Sequence, residues 1–279
     1  MKELVNPQKC QVTGCQINYF REGQGEAVLL VHGITTYSFI WSDIFHILKS
    51  DFDVIAIDLP GCGASDKSVD VDYSIKHQAE LLKEFIDALN IQKVHFIGHD
   101  VGGGVAQIFT VRYPKSVITS TFINSVAYDF WPVQPVIAMR TPIIRQLAMA
   151  ILDIGMFKLI VQRGVFLKEK VTAELMNYFL KPLQSIAGRK AFLHFAACLD
   201  NKNLIEIAGQ LKEIETPVLI IRGDADVYLG SNISQKLHSE ISVSKLVIIP
   251  EAGHFVQLDE PEKLAEIFNQ FLKEQSYAA

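Results

Sequence analysis

Short runs of apolar residues, rich in Val and Ile, alternate along much of the chain with longer segments whose apolar residues recur every three or four positions. This alternation is typical of a mostly parallel sheet that is covered by helices on both faces. The sequence therefore predicts an α/β fold. Gly, Pro, Asp or Asn bounds the runs that we expect to be central strands buried on both faces: residues 27–31, 54–57, 94–97, 117–123, 218–221 and 245–249.

The beginning of the chain has a different pattern. Residues 9–13 and 16–20 flank a Gly-Cys turn, which predicts an antiparallel hairpin at one edge of the sheet. Further along, residues 75–89 and 262–273 carry apolar side chains at the spacing of an amphipathic helix. These segments extend the α/β pattern to both ends of the chain.

The alternation stops between residues 127 and 208, where the pattern becomes helical and several prolines interrupt it. This segment lies between the fourth and fifth predicted central strands, so it is an insertion. Ligands of open α/β sheets bind at the carboxyl ends of the strands, and a helical insertion can fold over that edge. We therefore expect a core domain in two parts, residues 1–126 and 209–279, with residues 127–208 as a helical cap, or lid.

Composition and charge exclude some classes of protein. Of the 279 residues, 49% are hydrophobic and 20% are charged, which is enough apolar side chain for a large core. Asp and Glu number 31 against 26 Lys and Arg, and no basic run is present that would follow a phosphate backbone. We expect no nucleic acid partner.

Charges also interrupt the longest apolar stretch outside the predicted strands. Residues 143–161 contain Arg145, Asp153 and Lys158, which a membrane span would resist. The first ten residues contain no apolar run of the kind that a secretory signal needs. The four cysteines have neither a metal-binding spacing nor a disulfide framework. These features favour a cytoplasmic protein with reduced thiols and no membrane association.

A candidate nucleophile follows the third predicted central strand. The sequence Gly-His-Asp-Val-Gly, centred on Asp100, stands between that strand and a helical pattern that begins near Val101, which is the spacing of a nucleophile elbow. Glycines two positions away on each side leave room for a strained strand-to-helix turn, and the helix dipole favours an ionised carboxylate. The pattern alone also fits an Asp that only caps a helix, so residues elsewhere must decide.

Two later motifs supply partners for this carboxylate. His254, in Gly-His-Phe, lies between the last strand and the last helix and is a candidate general base. Arg-Gly-Asp-Ala-Asp, at residues 222–226, ends the preceding strand, and either Asp224 or Asp226 could hold the histidine in its working tautomer. The order nucleophile, acid, histidine is then complete.

The loop after the first predicted parallel strand reads His32-Gly33-Ile34. A loop in this position can donate the backbone N–H of Ile34 to an oxyanion, and Val101 supplies the second N–H. His32 is a candidate substrate contact, although a histidine in this motif more often braces the loop.

Together these motifs resemble the α/β-hydrolase superfamily over nearly the full length of the chain. Residues 58–65, Asp-Leu-Pro-Gly-Cys-Gly-Ala-Ser, are similar to the D-x-x-G-x-G-x-S loop of that family. In the family the triad acid usually stands three residues after the glycine that ends its strand, which implies Asp226 rather than Asp224. Most members carry Ser at the elbow, whereas Gly-His-Asp-x-Gly-Gly resembles the branch of the epoxide hydrolases and haloalkane dehalogenases.

The resemblance implies a hydrolase in which Asp100 attacks a saturated carbon of an epoxide or alkyl halide to form an alkyl-enzyme ester. His254, oriented by Asp226, would activate water against that ester, and the N–H groups of Ile34 and Val101 would hold the oxyanion. Because this chemistry needs neither a metal nor an organic cofactor, we expect none.

The residues that would stabilise the leaving group depart from both models. Haloalkane dehalogenases typically carry Trp after the nucleophile and Asn after His-Gly, where this chain has Val101 and Ile34, so that Trp131 is left as a candidate donor. Epoxide hydrolases commonly carry Pro two residues after His-Gly, where this chain has Thr, and use cap tyrosines; Tyr128 and Tyr178 are the candidates here. We expect epoxide hydrolysis first and haloalkane hydrolysis as its alternative.

Two other classes fit part of the pattern. Asp100 would be a base or a spectator in an esterase-like or lyase-like enzyme, and a small-molecule receptor would keep the fold and pocket without turnover. A receptor has no need for a complete triad, which argues against it. The apolar insertion, with Phe130, Trp131 and Val133 among its residues, indicates a small, uncharged and fairly hydrophobic substrate that reacts with water. The sequence indicates no oligomeric state.

Overall fold

The computed structural model describes residues 2–130 and 154–276, and its centre is an eight-stranded sheet in the order β1-β2-β4-β3-β5-β6-β7-β8. The strand β2 pairs antiparallel with β1 and β4, and each of the remaining neighbours pairs in parallel. The strands are β1 Gln8–Val12, β2 Cys15–Glu22, β3 Ala27–Val31, β4 Asp53–Ile57, β5 Val94–His99, β6 Val117–Ile123, β7 Val218–Gly223 and β8 Ser244–Ile249.

Helices connect the parallel strands. In the described part of the chain they are α1 Ser42–Leu48, α2 Ile75–Ala88, α3 Val101–Arg112, α4 Ile154–Gly164, α5 Ala173–Leu180, α6 Ile186–Cys198, α7 Lys202–Ala208, α8 Ser231–Glu240, α9 Val256–Asp259 and α10 Pro261–Ser276. No helix within the described ranges is long and apolar enough to cross a bilayer.

The predicted α/β architecture is confirmed. All the predicted strands form, and the hairpin lies at the β1 edge with its turn at Thr13 and Gly14, one residue earlier than expected. The central strands bury all or nearly all of their residues because both faces of the sheet are covered. The two predicted helices begin within a residue of their expected starts, at Ile75 and Pro261.

The prediction that residues 245–249 form a strand buried on both faces is wrong. The strand β8 lies at the other edge of the sheet and pairs only with β7. Ile248 has 54% of its surface exposed, and Lys245 is exposed as well. Its apolar run therefore reflects one covered face and an edge position, not central burial.

The order of the strands places two loops side by side. After β3 the chain moves to one side of the sheet to form β4, whereas after β5 it moves to the other side to form β6. Adjacent parallel strands whose connections diverge leave a crevice at their carboxyl ends. Val31 is opposite Gly98 at that edge, so the loop that follows β3 meets the residues that follow β5.

The predicted insertion lies between β6 and β7, and its described part is helical, with α4 to α7. Side-chain oxygens cap two of these helices, since Thr172 accepts from Leu175 N–H at 3.1 Å and Ser185 accepts from Gly188 N–H at 3.0 Å. Its division from the core as a cap over the site stays a prediction, and residues 131–153 lie outside the described residues.

Candidate active site

Asp100 stands at the junction of β5 and α3. Its backbone has φ 54° and ψ −118°, a conformation that a residue with a side chain rarely adopts and that costs about 1–3 kcal/mol. The surrounding hydrogen bonds maintain it: Asp100 N–H donates to Ile123 O at 3.1 Å, and Gly103 N–H donates to Asp100 O at 3.0 Å. The elbow that the sequence predicts is therefore present in the backbone.

Glycine is required on both sides of Asp100 because backbone groups approach closely there. A Cβ atom at Gly98 would overlap the carbonyl of Gly102, and a Cβ atom at Gly102 would overlap the carbonyls of Val31 and His32. These are rigid backbone atoms, so a side chain at either position would force strands or helix apart.

The carboxylate of Asp100 is 8% exposed and points at the loop after β3. Ile34 N–H donates to its Oδ2 at 3.2 Å. Burial raises the pKa of Asp100, while the charge of His254 and hydrogen bonds from the N–H groups of Ile34 and Val101 act in the opposite direction. Both expected oxyanion donors thus meet the same carboxylate, which has lost most of its solvent.

The structure brings His254 and Asp226 together. His254 Nδ1 lies 3.1 Å from Asp226 Oδ2, and the side chain of Asp226 is fully buried. The other oxygen, Oδ1, accepts the N–H of Tyr228 at 2.8 Å and that of Leu229 at 3.3 Å. With Nδ1 bonded to the carboxylate, Nε2 is the nitrogen that can take up a proton. Asp224, the alternative acid, is exposed.

The charges in this pair shift both groups. Burial lowers the pKa of His254, but the negative charges of Asp226 and Asp100 and the hydrogen bond to Asp226 outweigh burial, so the pKa of His254 is raised. Burial likewise raises the pKa of Asp226, but the charge and hydrogen bond of His254, together with the N–H groups of Tyr228 and Leu229, outweigh burial, so the pKa of Asp226 is lowered. The arrangement favours an imidazolium beside a carboxylate after a proton is taken up.

Two residues that the sequence analysis did not single out hold the backbone at His254. Asn124, directly after β6, donates from Nδ2 to Gly253 O at 3.0 Å and to His254 O at 2.9 Å, and its Oδ1 accepts Gly223 N–H at 3.1 Å. His99 Nε2 lies 2.9 Å from His254 O. Polar residues at the carboxyl ends of buried strands were the available signal.

His32 lies in the loop after β3 but is fully buried. Its Nε2 accepts Leu59 N–H at 2.9 Å, and its Nδ1 lies 2.7 Å from Gly33 O. Burial lowers the pKa of His32 to about 4, so the ring is neutral and ties two loops together. Such a placement gives it the bracing role and leaves no nitrogen for a substrate contact.

The candidate tyrosines are engaged elsewhere. Tyr128 donates from its hydroxyl to Glu240 Oε2 at 2.6 Å, and the ammonium of Lys236 lies 4.1 Å from the centre of its ring. Tyr178 stacks on Phe39 with ring centres 5.5 Å apart, and it lines a groove of about 350 Å³ in which Lys170 and other charged residues take part. Neither hydroxyl forms a hydrogen bond with Asp100 in the described part of the chain. Trp131 lies outside the described residues.

Aromatic residues that the sequence analysis did not identify pack around His254. The rings of Tyr228 and Phe255 have their centres 5.3 Å and 5.1 Å from that of His254, and Phe179 of the insertion packs on Phe255 at 5.3 Å. The hydroxyl of Tyr228 donates to Ile160 O at 2.7 Å. The imidazole therefore lies in an apolar setting that excludes bulk water.

The loop that resembles D-x-x-G-x-G-x-S is joined to neighbouring segments through the carboxylate of Asp58. Asp58 is 1% exposed and accepts hydrogen bonds from Ser38 N–H at 2.9 Å, Ala64 N–H at 2.8 Å and Asn18 Nδ2 at 2.9 Å. Its role is to join loops. Among residues 2–130 and 154–276, no group of three or more His, Cys, Asp or Glu side chains is arranged to hold a metal ion.

Comparisons with known proteins agree with the architecture. The family model described as the alpha/beta hydrolase fold matches residues 26–147. Over 275 residues the chain is 24% identical to cis-3-alkyl-4-alkyloxetan-2-one decarboxylase from Shewanella oneidensis, in a match that covers 94% of this chain and 86% of that protein.

Solved structures give the same result. Haloalkane dehalogenase DbeA from Bradyrhizobium elkani superposes with a TM-score of 0.86 at 23% identity, covering 98% of this chain and 99% of that one. Epoxide hydrolase CorEH superposes with a TM-score of 0.78 at 17% identity, covering 96% and 99%. At these identities the likeness establishes the fold and leaves the reaction to the site.

Proposed function

We propose that this chain is a member of the α/β-hydrolase superfamily and hydrolyses a bond at a saturated carbon through a covalent ester on Asp100, with an epoxide as its preferred substrate. The observation that carries the proposal is a carboxylate at the strained elbow, with Ile34 N–H donating to its Oδ2. A carboxylate suits attack at an activated sp³ carbon. The ester that forms there can then be split by water, which divides the reaction into two easier steps.

In the first step an oxygen of Asp100 attacks a ring carbon of the epoxide. The new C–O bond makes an alkyl ester, the ring C–O bond breaks, and the ring oxygen leaves as an alkoxide that takes a proton from water. The hydroxide left behind is neutralised by the proton that His254 takes up and releases in the second step. Burial of Asp100, which raises its pKa, also strips solvent from the carboxylate and leaves it more reactive. The aromatic residues around His254 favour an uncharged, apolar substrate.

In the second step His254 Nε2 removes a proton from water, and the hydroxide attacks the carboxyl carbon of Asp100. The N–H groups of Ile34 and Val101 stabilise the oxyanion that forms. The intermediate collapses with release of the diol, and Asp100 keeps one oxygen from water. Asp226 stabilises the imidazolium through the 3.1 Å contact at Nδ1. We also propose that the helices of residues 127–208 act as the cap over this reaction.

The test is a screen with styrene oxide and short haloalkanes, read as diol formation and halide release. Diol formation by the wild type and its loss in Asp100→Asn support the proposal. Halide release by the wild type that is lost in Asp100→Asn would mean that the proposed mechanism acts on carbon–halogen bonds instead. Turnover that Asp100→Asn retains in full contradicts the covalent mechanism. A single turnover in ¹⁸O-water adds a direct readout, because one label enters the Asp100 carboxylate only if water attacks the ester.

A second candidate is ring opening of a β-lactone, favoured by the similarity to an oxetan-2-one decarboxylase. Attack of Asp100 on the ring C–O carbon releases a carboxylate, which needs no proton donor, and this suits a site where the hydroxyl of Tyr128 binds Glu240 and the ring of Tyr178 stacks on Phe39. The ester then expels Asp100 as the C–C bond to the carboxylate breaks, giving an alkene and CO₂. This path uses no water, so alkene formation that His254→Ala retains would favour it over hydrolysis.

A further inference from the structure

We propose that Asp259 is a positioning residue through which the inserted segment fixes the loop of His254 for hydrolysis of the ester. This inference rests on the proposed function, because it assigns Asp259 to the second of its two steps. Asp259 lies at the end of α9 and is 1% exposed. Its carboxylate contacts two segments that are far apart in the sequence.

One of these segments is the histidine loop, and the other belongs to the insertion. Gly253 N–H donates to Asp259 Oδ2 at 2.8 Å. Phe166 N–H lies 3.0 Å from both oxygens, and Leu167 N–H donates to Oδ1 at 2.9 Å. Three backbone donors thus converge on one buried carboxylate, the kind of arrangement that fixes backbone tightly in a low-dielectric setting.

The two segments also touch directly. Phe255 N–H donates to Gly164 O at 3.1 Å, and a Cβ atom at Gly253 would overlap that same carbonyl. His254 therefore sits between two held backbone groups: Gly253 N–H, which Asp259 binds, and Phe255 N–H, which binds Gly164 of the insertion. The position of the insertion is therefore transmitted to the imidazole through Phe255 and through Asp259.

The opposite side of the loop is held by the core. The carbonyl of His254 accepts from Asn124 and His99, each at 2.9 Å. These contacts orient the carbonyls but leave the N–H of Gly253 to Asp259. Lys170, also from the insertion, donates to the backbone carbonyls of Leu258 and Asp259 at 3.0 Å and 2.7 Å, which places a positive charge at the C-terminal end of α9.

The role has a kinetic signature. Formation of the ester sets kcat/KM, whereas its hydrolysis by His254-activated water enters kcat alone. In Asp259→Asn one acceptor oxygen becomes an NH₂ group that faces backbone donors, so His254 is displaced. We expect kcat to fall by about 10- to 100-fold, KM to fall with it, kcat/KM to stay unchanged, and the ester on Asp100 to accumulate.

The matched control is Asp58→Asn, which alters another buried carboxylate that accepts backbone N–H groups but has no contact of this kind with the histidine loop. It should lower kcat and kcat/KM together if it lowers either. Lys170→Met, at a half-buried residue, is the second variant in case Asp259→Asn does not fold; it should change kcat and KM in the same direction by a few-fold.

A measurement without turnover separates this inference from the proposed reaction. The titration of the His254 imidazole, assigned by NMR against His254→Ala, should move to lower pH in Asp259→Asn and stay at its wild-type position in Asp58→Asn. If no ester forms in any variant, the proposed function fails and this titration still decides the role of Asp259. A folded Asp259→Asn with wild-type kcat, KM and titration overturns the inference, and so does an equal fall in kcat and kcat/KM with an unmoved titration.

Discussion

The part of the candidate site that lies on the sheet differs from the part that the insertion contributes. On the sheet, Asp100, Ile34 and Asn124 come after strands whose register is fixed by buried pairing. On the insertion side, Phe166 and Phe179 reach the triad indirectly, through hydrogen bonds to a carboxylate and through ring packing. The comparison leads us to place the proposed chemistry on the sheet side and to expect the insertion to act on the position of the histidine and on the substrate space.

Removal of the nucleophile should give the largest effect. Asp100→Asn keeps the size of the side chain but cannot form the ester, so we expect turnover to fall by at least about 10³-fold with little change in the fold. Product formation and thermal unfolding measured on the same sample check this. Retained turnover would show that the sheet side does not carry the chemistry.

Asp226→Asn should follow, with a fall in kcat of about 10²- to 10⁴-fold. It should also move the pH dependence. Because Asp226 raises the pKa of His254, ester hydrolysis by the wild type should decline as the pH falls through that raised pKa. Without that negative charge the imidazolium is less stable, so the acidic limb should move to lower pH. A pH profile of kcat with unmoved limbs would contradict the pairing.

Gly102→Ala tests the elbow through stability. The new Cβ atom would overlap the carbonyls of Val31 and His32, so we expect a loss of about 2 kcal/mol or more in the free energy of unfolding. Gly209→Ala is the matched control, because a Cβ atom there meets nothing within 4 Å. Denaturant unfolding that ranks the two variants equally would mean that the turn is looser than described.

Tyr128→Phe and Tyr178→Phe should have the smallest effects. Tyr128 binds Glu240, and Tyr178 stacks on Phe39, so we expect neither hydroxyl to protonate the leaving group. We expect kcat to change by less than about twofold in each, with a loss of about 1 kcal/mol of stability for Tyr128→Phe. A large fall in kcat with epoxides for either variant would assign the proton donor to the insertion. Part of the chemistry would then lie outside the sheet side of the site.

On the sheet side, the residues that the structure brings together are ones that local sequence patterns singled out. Gly-x-Asp-x-Gly after an apolar strand, Asp226 after the next-to-last strand and His254 after the last one are local patterns tied to strand ends, and the sheet brings strand ends together. The same reasoning was wrong about the burial of β8, because an apolar run does not reveal whether its strand lies at the centre or at an edge of the sheet.

The contributions of Asp259 and Tyr228 could not be predicted in this way. Asp259 acts through Gly253 and through Phe166 and Leu167, which lie 93 and 92 residues before it, and no local pattern records that contact. Tyr128 was a candidate because of its place at the start of the insertion, and its pairing with a glutamate follows only from the packing of α8. Periodicity and spacing along the sequence do not reveal which tertiary contacts a single residue makes.

The most direct test of the central claim is the intact mass of His254→Ala after incubation with styrene oxide and acid quench. A two-step mechanism predicts an increase by the mass of one substrate, mapped by peptide analysis to Asp100 and absent from the double variant with Asp100→Asn. A folded His254→Ala protein that forms product at the wild-type rate, or that consumes substrate with no adduct on Asp100, would contradict the account.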